Sequence, residues 1–115
     1  LPTEVRLYTP STIGALGPYI DLVITPGTQA AATFPDCTGF TPDAGGAVFT
    51  NTLTNFAATH NTFLNGIEFN PGGGANWAAG TEVVYQFQVT LNSGAPVGAQ
   101  GQSTGTHAYE WQAQS

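Results

Sequence analysis

Lysine is absent from this chain, and Arg6 is its only strong base. Seven acidic residues set the net charge at -6. Binding nucleic acid requires several cations to neutralise phosphates, and binding an anionic membrane surface requires the same. Both functions are therefore excluded as expectations. Charged residues make up 7% of the chain, against ~25% in ordinary soluble domains. Thr, Asn, Gln, Ser and Gly take their place, a surface common in secreted β proteins and in subunits buried within assemblies. No apolar run approaches the ~20 residues that span a bilayer, so no membrane insertion is expected. The chain begins at Leu1 rather than Met and carries no signal-peptide pattern. The expectation is a processed end or a cut inside a longer precursor.

The residue patterns of common active sites are also missing. His60 and His107 are the only histidines, and no H-E-x-x-H places two ligands one helical turn apart. His107 and Glu110 are three apart on an expected strand and so face opposite sides. Asp36 and Asp43 lie in Gly- and Pro-rich sequence that could offer oxygen ligands to calcium. No D-x-D-x-D-G loop surrounds them, and loop aspartates more often cap turns. Gly101-Gln102-Ser103-Thr104-Gly105 lacks the strand–turn–helix context of a nucleophile elbow. Gly72-Gly73-Gly74 lacks the Lys-Ser/Thr of a phosphate loop. No asparagine heads an N-x-S/T acceptor. No catalytic, metal or cofactor residue is expected, and the chain reads as a non-enzyme.

Cys37 is the sole cysteine. It is either a free thiol or half of a disulfide whose partner lies outside this chain. Trp77, just after the glycine run, is the better of the two tryptophans for exposure and stacking on a sugar.

What the chain does have is period-2 alternation. Val83, Tyr85, Phe87, Val89 and Leu91 alternate with polar residues from Thr81 to Leu91, which predicts a strand with one buried face. His107, Tyr109, Trp111 and Ala113 mark another. Ile20, Leu22 and Ile24 mark a third, and Val5 with Leu7 a fourth. Residues 47–50 and 66–69 are shorter candidates. Fifteen glycines and eight prolines punctuate the chain, with a Pro-Gly turn expected at residues 25–28. Residues 53–60 are the one helix candidate. The pattern predicts a single all-β domain over 1–115, an antiparallel β-sandwich or jelly roll. The Thr81–Leu91 strand lacks the Lys and Pro that guard sheet edges. It reads either as a central strand or as one that a neighbouring subunit completes.

Several segments, in order, resemble the C-terminal part of the TasA/camelysin-like secreted proteins. Leu16-Gly17-Pro18-Tyr19-Ile20-Asp21-Leu22-Val23-Ile24 resembles the family's L-x-P-Y-L-x-V-x-V strand. Cys37-Thr38-Gly39-Phe40 followed by Val48–Phe56 resembles its C-x-x-F … V-x-x-G-T-L-x-x-F segment. Ala99-Gln100-Gly101 with Trp111-Gln112-Ala113-Gln114 resembles its closing A-Q-G … W-x-A-Q pattern. The resemblance implies a jelly-roll subunit of an extracellular filament or biofilm matrix, self-assembling into a homopolymer by strand donation. It also implies that the strand completing the sandwich comes from another chain or from a missing N-terminal segment, and that Cys37 pairs with a cysteine there. The alternative expectation is a cell-surface adhesive or carbohydrate-binding module making glycan contact.

Overall fold

A computed structural model describes residues 3–115 and places them in two antiparallel sheets. The architecture is all-β, a sandwich built on two central strands. Strand β1 (Thr3–Tyr8) organises the first sheet, and strand β2 (Ile20–Thr28) the second. Strands β3 (Thr41–Pro42) and β4 (Phe49–Thr52) share one edge of β2. Its other edge is taken by β7 (Val84–Leu91) over its whole length, from Ile20↔Leu91 to Gly27↔Val84. Strands β5 (Ile67–Glu68) and β6 (Asn76–Trp77) share one edge of β1, and β8 (Glu110–Gln114) takes the other.

Alternation fixes which face of β2 is inside. Ile20, Leu22, Ile24 and Pro26 are buried, while Asp21, Val23 and Thr25 are only partly so. Leu7 and Ile67, paired across β1 and β5, oppose them from the first sheet. The end between β4 and β5 is plugged by helix α1 (Leu53–Thr59). Thr52 caps α1 by accepting the Asn55 amide at 3.1 Å. Leu53 and Phe56, three apart, then lie on one helical face and are fully buried. Phe56 packs edge-on against Phe49, with centroids 4.9 Å apart, and also meets His60 and Tyr109.

Two segments depart from the sequence expectation. Thr25-Pro26-Gly27-Thr28 continues β2 rather than turning. Gly27 is needed there for close approach, since a Cβ would lie 2.8 Å from the Phe40 ring and collide with the Thr41 carbonyl. The final strand begins at Glu110, later than its alternation suggests. The Ala108 carbonyl accepts from buried Thr9 Oγ1 at 2.6 Å, and the Ala108 amide donates to Ser11 Oγ at 3.0 Å. Those side chains take the groups that a neighbouring strand would otherwise use.

Arg6, the lone strong base, lies on the partly covered face of β1. It forms ion pairs with Glu4 and, at 3.3 Å, with Glu68. It also donates to the Leu64 carbonyl at 2.8 Å and stacks over Phe63 at 5.0 Å. No helix among the described residues is long and apolar enough to cross a membrane.

Phe56→Ala empties the centre of the aromatic plug. It should destabilise the domain by about 3–5 kcal/mol in denaturant unfolding, whereas Thr50→Ala, at an exposed position of β4, should stay within about 0.5 kcal/mol.

Candidate functional site

The free edges of β7 and β8 lie along one side of the sandwich. Among the described residues β7 pairs only with β2, and β8 only with β1. Within its own sheet the Thr81–Leu91 segment therefore supplies an edge strand rather than a central one. The two edges are held together by aromatic side chains. Phe87 meets Tyr109 at 4.6 Å and Trp111 at 6.1 Å, and Tyr85 meets Trp111 at 5.7 Å.

This closure is partial. The apolar face of β7 is half-buried at Tyr85 and Phe87. Farther along the same face, Val89 is 61% exposed and Leu91 60%. The cause is the path of the chain before β8. Residues 103–108 lean toward the segment after β1, where Gly14 donates to Thr104 and Leu16 to Ser103. Thr104 and His107 of this segment face Val89 only across an open space. A cavity of about 210 Å³ remains beside Val89, walled by Leu16, Leu22, Leu53 and His107. His107 Nε2 lies 3.2 Å from the Tyr109 hydroxyl, while its buried Nδ1 has no hydrogen-bond partner.

At the other end of β7, a loop over residues 29–37 overhangs the edge. It encloses a second cavity of about 320 Å³ with Tyr85, Phe87 and Phe40. Gln29 braces the loop by donating to the Asp36 carbonyl at 2.8 Å. Residues 31–39 are all exposed, and Phe34 is 98% exposed. Cys37, the one cysteine of the sequence, is exposed on this loop.

The strand itself carries no charge, and the nearest acids are Asp36 on the overhanging loop and Glu82 just before it. From Val83 to Tyr109 the chain has no Asp, Glu, Lys or Arg. Outward along β7, Val84 and Gln86 are partly covered, and Gln88 and Thr90 are exposed. None of these is a Lys or Pro that would discourage pairing.

The other residues considered from sequence take structural positions. Asp36 accepts the Thr38 amide at 2.9 Å, and Asp43 accepts the Gly45 amide at 3.0 Å. Both are turn residues, and the hydrogen bonds from Thr38 lower the Asp36 pKa. No group of three His, Cys, Asp or Glu among the described residues could hold a metal ion. His60 ends α1, with Nδ1 2.6 Å from the Asn65 carbonyl. His60 and His107 are separated by Phe56 and Tyr109. Trp77 is half-buried and donates to the Phe69 carbonyl at 2.8 Å, so it is not the more exposed tryptophan. Trp111 is, at 48%. The overhanging Phe34 escaped sequence reading, and the free edge stood there as one of two alternatives. Alternation reports which face a residue lies on, not whether the strand has a neighbour.

No family model, curated protein or solved structure matches the chain.

Burial pushes the Tyr85 phenol from 10.0 up to about 12. The folded state holds this proton more tightly than the unfolded state does. Stability linked to Tyr85 is therefore complete below pH 10 and lost as pH rises toward 12. Alkaline unfolding with tyrosinate absorbance should show Tyr85→Phe removing part of that fall, with little change at neutral pH.

Proposed function

We propose that this chain is a structural subunit of an extracellular protein filament or matrix, without catalysis of its own. Subunits assemble by donating a strand to the free edge of a neighbour. The observation that carries this reading is β7, an eight-residue edge strand paired on one side, free of charge and without guard residues. Such an edge presents a row of backbone donors and acceptors, and an added strand satisfies them while alternate side chains set register. The uncovered Val89 and Leu91 supply apolar area for the incoming strand to bury. The sequence resemblance to TasA/camelysin-like secreted proteins supports the same reading and the same extracellular setting.

Sedimentation velocity and negative-stain imaging test it. The purified protein should form filaments as its concentration rises. Gln88→Lys with Thr90→Lys puts two cations on the exposed side of β7. This should raise the critical concentration about tenfold or more and leave the melting temperature nearly unchanged. Monodisperse monomers at high concentration would sink the proposal.

A second reading, an adhesive carbohydrate-binding module, rests on Trp111, half-exposed beside Tyr85. It requires Trp111 to stack on a sugar ring, so oligosaccharides should quench the fluorescence of the wild type but not of Trp111→Phe. Under the filament proposal no such quenching is expected.

A further inference from the structure

We infer that Asn65 is a latent site of self-modification. The Gly66 amide closes on the Asn65 carboxamide when the turn over residues 60–66 opens, and the product keeps the turn from closing again.

Asn65-Gly66 is the one Asn-Gly pair in the chain. Such a pair is reactive because glycine has no Cβ to keep its amide nitrogen away from the preceding side chain. The Gly66 nitrogen bonds to Asn65 Cγ, and the Cγ–Nδ2 bond breaks. Nδ2 leaves as ammonia with the proton that Gly66 gives up. Water then opens the ring, at Cγ to give aspartate or at the main-chain carbonyl to give isoaspartate. Nothing is oxidised or reduced, and solvent supplies the water because Asn65 is exposed.

The fold calls for both members of the pair. Asn65 Oδ1 accepts the Asn61 and Thr62 amides at 2.8 and 2.9 Å, and Nδ2 donates to Asn61 Oδ1 at 2.8 Å. A carboxamide offers an acceptor and donors together, so Asn65 ties the turn in both ways. Gly66 is set by space. A Cβ there would lie 3.0 Å from Arg6 Cβ and 3.2 Å from the Leu7 carbonyl.

Closed, the turn suppresses the reaction. The Gly66 amide donates to the Phe63 carbonyl at 3.1 Å, which occupies the attacking nitrogen. His60 Nδ1 donates to the Asn65 carbonyl at 2.6 Å, from a ring packed against Phe49 and Phe56. The carboxamide cannot swing onto Gly66 until these bonds and its own are broken. Yet Asn61, Thr62, Leu64 and Asn65 are all exposed, so the turn can open without unfolding the sandwich. The reaction then follows the population of the open turn.

Isoaspartate makes the opening permanent. It lengthens the main chain by a carbon just before β5, where Ile67 is buried opposite Leu7 and Glu68 lies opposite Arg6. Gly66 has no slack against β1 to absorb that length, so β5 loses its register.

Peptide mass spectrometry of the full chain, held at mildly alkaline pH, tests this. In urea Asn65 should convert at least about tenfold faster than in the folded protein. Asn61→Ala, checked for fold by near-UV circular dichroism, removes the acceptor of Nδ2. It should speed conversion in the folded protein about fivefold and leave the rate in urea unchanged. Folded protein carrying isoaspartate at position 65 should melt about 4 °C or more below the wild type. Asn65→Asp, which adds the charge without the extra carbon, should melt close to the wild type. Conversion as fast in the folded protein as in urea, or none in either, would overturn the inference. So would an isoaspartyl product that melts with the wild type or no lower than Asn65→Asp.

Discussion

Everything in this sandwich depends on β2 being paired along both edges. Its buried residues Ile20, Leu22, Ile24 and Pro26 form one wall of the core. Its hydrogen bonds tie β3 and β4 to one side and β7 to the other. Ile24 shows the consequence. It is opposite Phe49 on one neighbour and Phe87 on the other, so one side chain links the aromatic plug of α1 to the aromatic seam between β7 and β8. A slip of one residue would turn Asp21, Val23 and Thr25 inward and place a carboxylate in the core. The alternation from Ile20 to Ile24 therefore specifies register for the whole second sheet.

That constraint also creates the open edge. With β2 occupied on both sides, β7 is outermost on one side of its sheet, as β3 and β4 are on the other. The segment leading to β8 is tied to Thr9, Ser11, Gly14 and Leu16, and its Thr104 and His107 stand across a cavity from Val89 rather than packing on it. Drawing residues 103–108 farther across would break the hydrogen bonds that Thr9, Ser11, Gly14 and Leu16 make to them.

The strands were legible in sequence where one face alternates, as at Ile20-Leu22-Ile24 and Tyr85-Phe87. They were misread where a local rule met a tertiary exception. Pro26-Gly27 looks like a turn, yet Pro26 is buried in β2 and Gly27 is there because Phe40 and Thr41 press against it. The position of β7 in its sheet could not be read at all, since alternation is the same for an edge and a centre. The tryptophans were ranked the wrong way round: the loop beside Trp77 suggested exposure, but the indole found the Phe69 carbonyl. Asp36 and Asp43, by contrast, were readable as turn residues from their Gly- and Pro-rich surroundings.

Charge placement adds a filter to this geometry. Most acids are placed by local partners: Glu4 and Glu68 flank Arg6 on the first sheet, Asp21 faces Asn92, and Asp36 and Asp43 close turns, Asp36 on the loop over the Val84–Phe87 end of β7. Glu82 and Glu110 bracket the uncharged stretch rather than interrupt it. With one strong base per chain and that base already paired, two copies have almost no intermolecular salt bridge available to them. Their net charges repel over roughly the 10 Å Debye length at 0.1 M salt, so any contact between copies has to be carried by backbone pairing and apolar burial and strengthens as added salt screens the repulsion.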